Sequence, residues 1–161
     1  WWIWAQNRKL HKYKRTELME DIVLIIKSTY YKEISDRLVS GAIEYLEMKG
    51  ILYKVVEVPG ALEIPVVLEK FKSNYKGFII IGCIIRGETS HFDIVKNTVI
   101  SYIYEIVLKK QIALGMSLLT VENYDQALKR SSAKEKINSG FNAAMVCSKM
   151  IEILKKDEKF W

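Results

Sequence analysis

A short polar stretch that follows an apolar run contains residue types able to bind an anion and to transfer a proton. Its members are Arg86, Gly87, Glu88, Thr89, Ser90 and His91. Where such a stretch opens a helix, free backbone N–H groups and the positive end of the helix dipole favour a phosphate. Glycine lets the backbone approach the anion closely, and Thr89 and Ser90 supply hydroxyl donors or a helix cap. A helix start capped in the ordinary way is the simpler interpretation of these two hydroxyl residues.

Two further side chains suit proton transfer or sugar binding. His91 is the only histidine outside residues 1–16, and an imidazole beside an anion site can accept and return protons near neutral pH. Glu63 stands between Leu62 and Ile64, where a carboxylate is out of place in a core. It can accept hydrogen bonds from a polyhydroxyl substrate. Taken singly, a packing histidine and an exposed acid at a helix start are the simpler explanations.

Strands and helices that alternate along the chain must position these residues. Apolar runs predict four strands, at residues 21–26, 51–58, 77–85 and 112–120. Helical spacing and boundary residues predict five helices, at 34–50, 65–71, 91–109, 122–130 and from the break at 138–140 to about residue 156. In the long third helix the residues predicted to face inward are Ile94, Val95, Thr98, Val99, Tyr102 and Ile106.

The alternation defines a fold class. Strands that are apolar on both faces are typical of a parallel sheet covered by helices. We therefore predict a three-layer α/β/α sandwich of the flavodoxin-like type, with a four-stranded parallel sheet and helices on both faces. Ligands bind such sheets at the carboxyl ends of the strands. His91 and Glu63 both fall at that edge, which favours a site over separate structural explanations.

Composition limits the classes of protein that the chain can belong to. Its 161 residues suit one domain, and half of them are hydrophobic, which excludes general disorder. The net charge of +6 comes mainly from residues 1–16, which hold five basic residues and no acidic one. This Trp-rich segment is far shorter than the roughly 20 apolar residues that span a bilayer. We expect a poorly ordered extension at 1–16 and a single domain at 17–161; a tail that binds nucleic acid or a membrane surface is the alternative.

The cysteines indicate the compartment. Cys83 and Cys147 are too few for a disulfide framework, and neither stands in a paired metal motif. We expect both to be small buried residues in a reducing cytoplasm. Neither a metal constellation nor a nucleotide-binding fingerprint occurs in the sequence.

Three stretches of the chain resemble signature stretches of the lumazine synthase family in order and spacing. They are VPGALEIP at 58–65, GCIIRGETSHFDIV at 82–95 and LTVENYDQALKR at 119–130, with a weaker match in NSGFNAAMVCSKMIEIL at 138–154. The resemblance covers roughly residues 21–154. It implies the flavodoxin-like fold and the penultimate step of riboflavin biosynthesis. In that step a ribitylaminouracil condenses with 3,4-dihydroxy-2-butanone 4-phosphate, without metal or cofactor, to give 6,7-dimethyl-8-ribityllumazine, phosphate and water.

The resemblance also assigns a role to each matching position. The pyrimidine ring would stack on Tyr30, and its edge would bind the backbone of Cys83, Ile84 and Ile85. The ribityl chain would bind Ala61, Leu62 and Glu63. The phosphate would bind Glu88 and Thr89 and pair with Arg130, near Lys134, while His91 would transfer protons and Met116 would form a pocket wall.

Several positions depart from the family pattern. Tyr31 replaces a common asparagine, Met116 a usual phenylalanine, and Ser117 a glycine. Ser139 and Asn142 stand where the family has a lysine and a glutamate. The last two changes replace a charged pair by a neutral one.

The resemblance further implies a homo-oligomer. The family forms pentamers, some of which assemble into a shell of sixty chains. We expect Tyr30, Glu63 and His91 of one subunit to meet Met116 and Arg130 of the next.

The turn at 131–138 lacks glycine and is one residue longer than the shell-forming pattern, which favours a free pentamer or a decamer. Riboflavin synthase is a candidate partner, whereas nucleic acid and membrane are not expected. A non-catalytic flavin- or pterin-binding module on the same scaffold is the alternative function, and it would need neither His91 nor Arg130.

Overall fold

The computed structural model describes residues 21–133 and 138–155. Strands and helices alternate in this part of the chain, in the order β1 (Val23–Ser28), α1 (Lys32–Met48), β2 (Tyr53–Val58), α2 (Ile64–Phe71), β3 (Gly77–Ile85), α3 (His91–Lys110), β4 (Leu114–Val121), α4 (Tyr124–Arg130) and α5 (Ser139–Leu154). A short 3-10 turn, Ala61–Glu63, precedes α2. The extension at 1–16, Lys134 and half of the turn at 131–138 lie outside the described residues.

The four strands form one parallel sheet in the order β2-β1-β3-β4. The order reverses between β1 and β3, as it does in flavodoxin-like sheets. Both central strands are buried on their two faces, because helices cover the sheet from each side. The predicted four-stranded parallel sandwich is therefore confirmed.

Two apolar cores lie on opposite faces of the sheet. On one face, α1, α4 and α5 pack against alternate residues of the strands, with Leu38 and Ala144 fully buried. On the other face, α2 and α3 pack against the remaining strand residues, with Leu68 and Ile103 fully buried. The period-2 alternation of strand side chains divides each central strand between the two cores.

Two predictions about burial were wrong. The second strand was expected to be buried on both faces, but Val55 is 41% exposed because β2 lies at the edge of the sheet. Ile94 and Tyr102 were expected to face inward, but they are 61% and 57% exposed. The buried residues of α3 are instead Phe92, Val99 and Ile103.

Close backbone contacts hold α5 against its neighbours. A Cβ atom at Gly140 would lie 1.9 Å from the carbonyl oxygen of Leu38 in α1, and one at Gly115 would lie 1.9 Å from that of Ala143. Only glycine allows such an approach. No helix in the described part of the chain combines the length and apolar character that crossing a membrane requires.

Candidate active site

A cavity of about 420 Å³ opens at the carboxyl edge of the sheet, beside the point where the strand order reverses. Three chain segments line it. Among the predicted site residues that line the cavity, four come from the segments after β1 and β2: Tyr30, Ala61, Leu62 and Glu63. Five more come from the end of β3 and from the segment that leads into α3: Cys83, Ile84, Ile85, Thr89 and His91. The cavity thus brings together nine of the predicted site residues.

Three predicted residues do not line this cavity. Glu88 is exposed on the turn after β3. Met116 lies on β4 and packs on the α2 and α3 side of the sheet, and Arg130 is exposed at the end of α4. Lys134 lies outside the described residues. Within a single chain, the structure therefore does not bring Arg130 to the predicted anion site.

Sequence reasoning did not assign four lining residues to substrate binding. They are Tyr31, Gly60, Phe92 and Val95. Three of these residues are adjacent in sequence to predicted site residues, and Val95 lies one helical turn after His91. Their closeness to predicted site residues is the only feature of the sequence that could have identified them.

The two tyrosines after β1 form one wall of the cavity. Tyr30 is 75% exposed, and its ring lies 5.1 Å from that of Tyr31 in an edge-to-face arrangement. A flat ligand can therefore stack on the open face of Tyr30. Burial, followed by the nearby Tyr30 and Cys83, raises the pKa of the Tyr31 phenol, which stays a neutral hydrogen-bond donor at physiological pH.

The turn before α2 presents a carboxylate without a protein partner. Among the described residues, none makes a hydrogen bond or an ion pair with the Glu63 carboxylate. A Cβ atom at Gly60 would lie 2.9 Å from Glu63 Oε2, so the carboxylate folds back over the turn. An exposed, unpaired carboxylate beside a cavity can accept hydrogen bonds from ligand hydroxyl groups.

The end of β3 forms the cavity floor. Cys83 is buried, and burial raises the pKa of its thiol to about 12. The thiol therefore remains neutral and is a poor nucleophile. One further hydrogen bond joins β3 to β4 beyond Ile85: the backbone N–H of Arg86 donates to the carbonyl of Val121 at 2.9 Å.

The turn that follows Arg86 is suited to an anion. Among the described residues, none accepts a hydrogen bond from the backbone N–H groups of Gly87, Glu88, Thr89 or Ser90. The backbone N–H of His91 donates to Thr89 Oγ1 at 3.4 Å, so Thr89 rather than Ser90 provides the side-chain cap. The turn precedes the 20-residue helix α3. Its free N–H groups and the positive end of the helix dipole would both stabilise a bound anion.

A larger groove of about 750 Å³ lies between α2 and α3. Of the predicted site residues that the structure describes, Leu62 alone lines this groove, together with the exposed Val66 and Tyr102. Among the residues that the structure places around this groove there is no histidine, no cysteine and none of the unpaired turn amides. The smaller cavity is therefore the candidate for chemistry. Within the described residues, no three His, Cys, Asp or Glu side chains cluster as metal ligands would.

Fold and cavity together define a class: a flavodoxin-like α/β protein that binds small molecules at the carboxyl edge of its sheet. The sequence model of the 6,7-dimethyl-8-ribityllumazine synthase family matches residues 22–155. The chain belongs to this family, and the resemblance seen in its motifs is confirmed.

Similar proteins carry the same name. The 6,7-dimethyl-8-ribityllumazine synthase of Bartonella tribocorum is 41% identical over 138 residues, which cover 83% of this chain and 90% of that protein. That of Agrobacterium fabrum is 38% identical over 141 residues, with 83% and 95% covered. That of Afipia carboxidovorans is 35% identical over 159 residues, with 94% and 97% covered.

Proposed function

We propose that the chain is a transferase that condenses 5-amino-6-(D-ribitylamino)uracil with 3,4-dihydroxy-2-butanone 4-phosphate. The product is 6,7-dimethyl-8-ribityllumazine, and phosphate and water are released. This is the penultimate step of riboflavin biosynthesis. The observation that carries the proposal is a single cavity that joins an exposed aromatic face, an unpaired carboxylate, unpaired turn amides and a histidine in a chain of this family. No observation favours the non-catalytic flavin- or pterin-binding alternative.

The pyrimidine substrate occupies the side of the cavity next to β1. Its ring stacks on Tyr30, and its polar edge meets the backbone at Cys83, Ile84 and Ile85. Its ribityl chain runs along the turn 61–63, where the Glu63 carboxylate accepts hydrogen bonds from the sugar hydroxyls. The exposure of Tyr30 and the unpaired state of Glu63 support this orientation.

The phosphate of the second substrate occupies the turn at Glu88 and Thr89. Backbone N–H groups and the α3 dipole attract it, but within the described part of one chain no lysine or arginine lines the cavity. The compensating charge comes from Arg130 of a neighbouring subunit, whose fork suits a phosphate better than an ammonium does. Lys134 adds charge nearby.

The chemistry requires several proton transfers at one place. The pyrimidine amine attacks the ketone carbonyl, water leaves, and an imine forms. The imine then loses a proton from carbon as phosphate leaves, and the second amine closes the ring with loss of water. His91, at the start of α3, serves these transfers in turn. Much of the acceleration comes from holding two flexible substrates together.

The incomplete site calls for a homo-oligomer. Met116 forms a wall of the neighbouring subunit's pocket, next to Arg130. The exposed apolar side chains along the groove between α2 and α3 and the open edge of β2 are surfaces that an interface would cover. We favour a homopentamer or a decamer, with a pentamer mass of about 94 kDa from chains of 18.7 kDa. Light scattering that gives the mass of a monomer or of sixty chains would contradict this assembly.

The cytoplasm is the setting that the buried, unpaired Cys83 and Cys147 favour. Riboflavin synthase, which consumes the product, is the candidate partner there.

A direct assay tests the function. The purified chain is mixed with both substrates, and fluorescent lumazine and inorganic phosphate are measured together. We expect equal amounts of both, and neither when one substrate is omitted. Phosphate release without lumazine, or no product at all, would contradict the proposal.

A further inference from the structure

Arg86 occupies the junction between the sheet and the anion-binding turn. It is the first residue after β3, and its backbone N–H extends the sheet by one hydrogen bond to Val121. The turn 87–90 leaves from Arg86 and ends at His91, the first residue of α3. Any restraint on Arg86 and the first turn of α3 therefore fixes both ends of this turn.

The guanidinium group of Arg86 supplies such a restraint. Nε donates to Glu122 Oε2 at 2.7 Å, just beyond β4, and Nη1 donates to Asp93 Oδ2 at 3.0 Å in the first turn of α3. A longer contact of 3.5 Å joins Nη2 to Asp93 Oδ1. The guanidinium carbon also lies 4.2 Å from the centre of the Phe92 ring. One planar group thus joins the ends of two strands to the two residues that follow His91.

The charge of Arg86 is fully compensated inside this cluster. Asp93 and Glu122 each accept from it, and Lys96 donates to Asp93 Oδ1 at 3.0 Å. Two cations therefore face two carboxylates. Although Arg86 stands at the start of a predicted anion site, its guanidinium is already committed to carboxylates.

We infer that Arg86 is a positioning residue: it clamps the turn 87–90 and the start of α3, which holds Thr89 and His91 toward the cavity, and it does not bind the phosphate itself. This inference rests on the proposed function. The partners are substantially exposed, and exposed ion pairs add little to stability. The planar guanidinium group instead fixes orientation, because it holds two carboxylates and an aromatic ring in place at once. An ammonium group cannot do this.

Kinetics of three variants test the clamp: Arg86→Lys, Asp93→Asn and the double variant. Displacement of a catalytic group by about 1 Å can cost roughly a hundredfold, so we expect each single variant to lower kcat about tenfold or more. The KM for the pyrimidine should stay unchanged. Since the two residues act through one contact, the double variant should be no worse than the poorer single variant. Arg37→Lys is the matched control, because Arg37 also pairs with a carboxylate but lies on the exposed side of α1.

The alternative roles predict different kinetics. A phosphate ligand would show a raised KM for the butanone phosphate alone in Arg86→Lys, with Asp93→Asn harmless. A purely structural arginine would show a lowered melting temperature with kcat per folded site unchanged. Either result would overturn the inference.

Hydrogen exchange separates failure of the clamp from failure of the proposed function, because it needs no turnover. The hydrogen-bonded amides at the two ends of the turn are those of Arg86, which donates to Val121, and Asp93, which donates to Ser90. Both should exchange faster in Arg86→Lys than in wild type or Arg37→Lys. Equal exchange rates in all three proteins would overturn the clamp whether or not the wild type makes lumazine. An inactive wild type would instead overturn the proposed function and leave the exchange experiment to decide the clamp.

Discussion

Asn138 Nδ2 donates a 3.1 Å hydrogen bond to the backbone carbonyl of Arg37, and so joins the start of α5 to α1 across 101 positions of the chain. The same side chain caps α5, since its Oδ1 accepts from the N–H groups of Gly140 and Phe141 at 2.9 and 3.2 Å. A further bond runs to the carbonyl of Ser132. Because Asn138 is 3% exposed, water cannot replace these bonds.

Asn138→Ala should therefore destabilise the fold far more than removal of an ordinary cap. We expect a loss of about 2–4 kcal/mol in the free energy of unfolding, from the lost cap and from buried groups left unpaired. Asn123 is the matched control, because it caps α4 through one bond to Gln126 N at 3.0 Å and is exposed. Asn123→Ala should cost about 1 kcal/mol. Urea unfolding of both variants checks this, and equal losses would refute the special role of Asn138.

His91→Ala should fold normally and lower kcat about tenfold to a hundredfold. General acid–base catalysis is worth roughly 100- to 10,000-fold, but water can carry some of the protons and substrate positioning remains. The control is His11→Ala, which removes the only other histidine of the chain. Steady-state rates at saturating substrates measure the effect. An unchanged kcat in His91→Ala would remove this residue from the mechanism.

Arg130→Ala should raise the KM for the butanone phosphate about tenfold to a hundredfold and leave the KM for the pyrimidine nearly unchanged. The size follows from a charge-assisted pair worth roughly 1.5–3 kcal/mol. Lys129→Ala, which removes the adjacent exposed charge on α4, is the control. Equal increases in KM for both substrates would point to a defect in folding or assembly and against phosphate binding by Arg130.

The buried Lys27 makes stability depend on pH in a predictable direction. Its ammonium lies 2.6 Å from Glu57 Oε1 and also contacts Asp36. Burial acts to lower the pKa of Lys27, but the hydrogen bonds to Asp36 and Glu57 outweigh it and the pKa is raised. The same hydrogen bonds lower the pKa values of Asp36 and Glu57.

Carboxylates with lowered pKa values stabilise the fold above their unfolded pKa of about 4, and this contribution is lost as the pH falls through the folded values. Lys27 contributes below its unfolded pKa of about 10.4, and its contribution is lost as the pH rises through the raised value. The free energy of unfolding should therefore fall below about pH 4 and above about pH 10.4. In Lys27→Met both slopes should be shallower, whereas Lys149→Met, from an exposed pair, should match the wild type. Identical slopes in all three proteins would contradict the assignment.

Sequence patterns predicted the parts of the fold that local composition controls. The bounds of β3 follow from a buried apolar run that begins at Gly77 and ends before Arg86. The start of α3 at His91 follows from the polar stretch before it. The rank of β2 as an edge strand could not be predicted in this way, because strand order depends on contacts between distant segments.

Long-range partners account for most of what the sequence did not predict about the site. Arg86 was grouped with an anion site by its position, but its partner Glu122 lies 36 residues away. Arg130 and Met116 were expected to come from another subunit, and a single chain leaves that prediction untested. Tyr31 was noted only as a departure from a pattern, whereas in the structure it forms part of the cavity wall.

The central claim is that lumazine forms in the cavity at the carboxyl edge of the sheet. A crystal structure of the protein with the ribitylaminouracil substrate and inorganic phosphate tests it most directly. We predict the pyrimidine ring stacked on Tyr30, its ribityl chain hydrogen-bonded to Glu63, and phosphate on the turn at Thr89, in contact with Arg130 of a neighbouring subunit. Substrate bound in the groove between α2 and α3, or phosphate held by Arg86, would contradict the account.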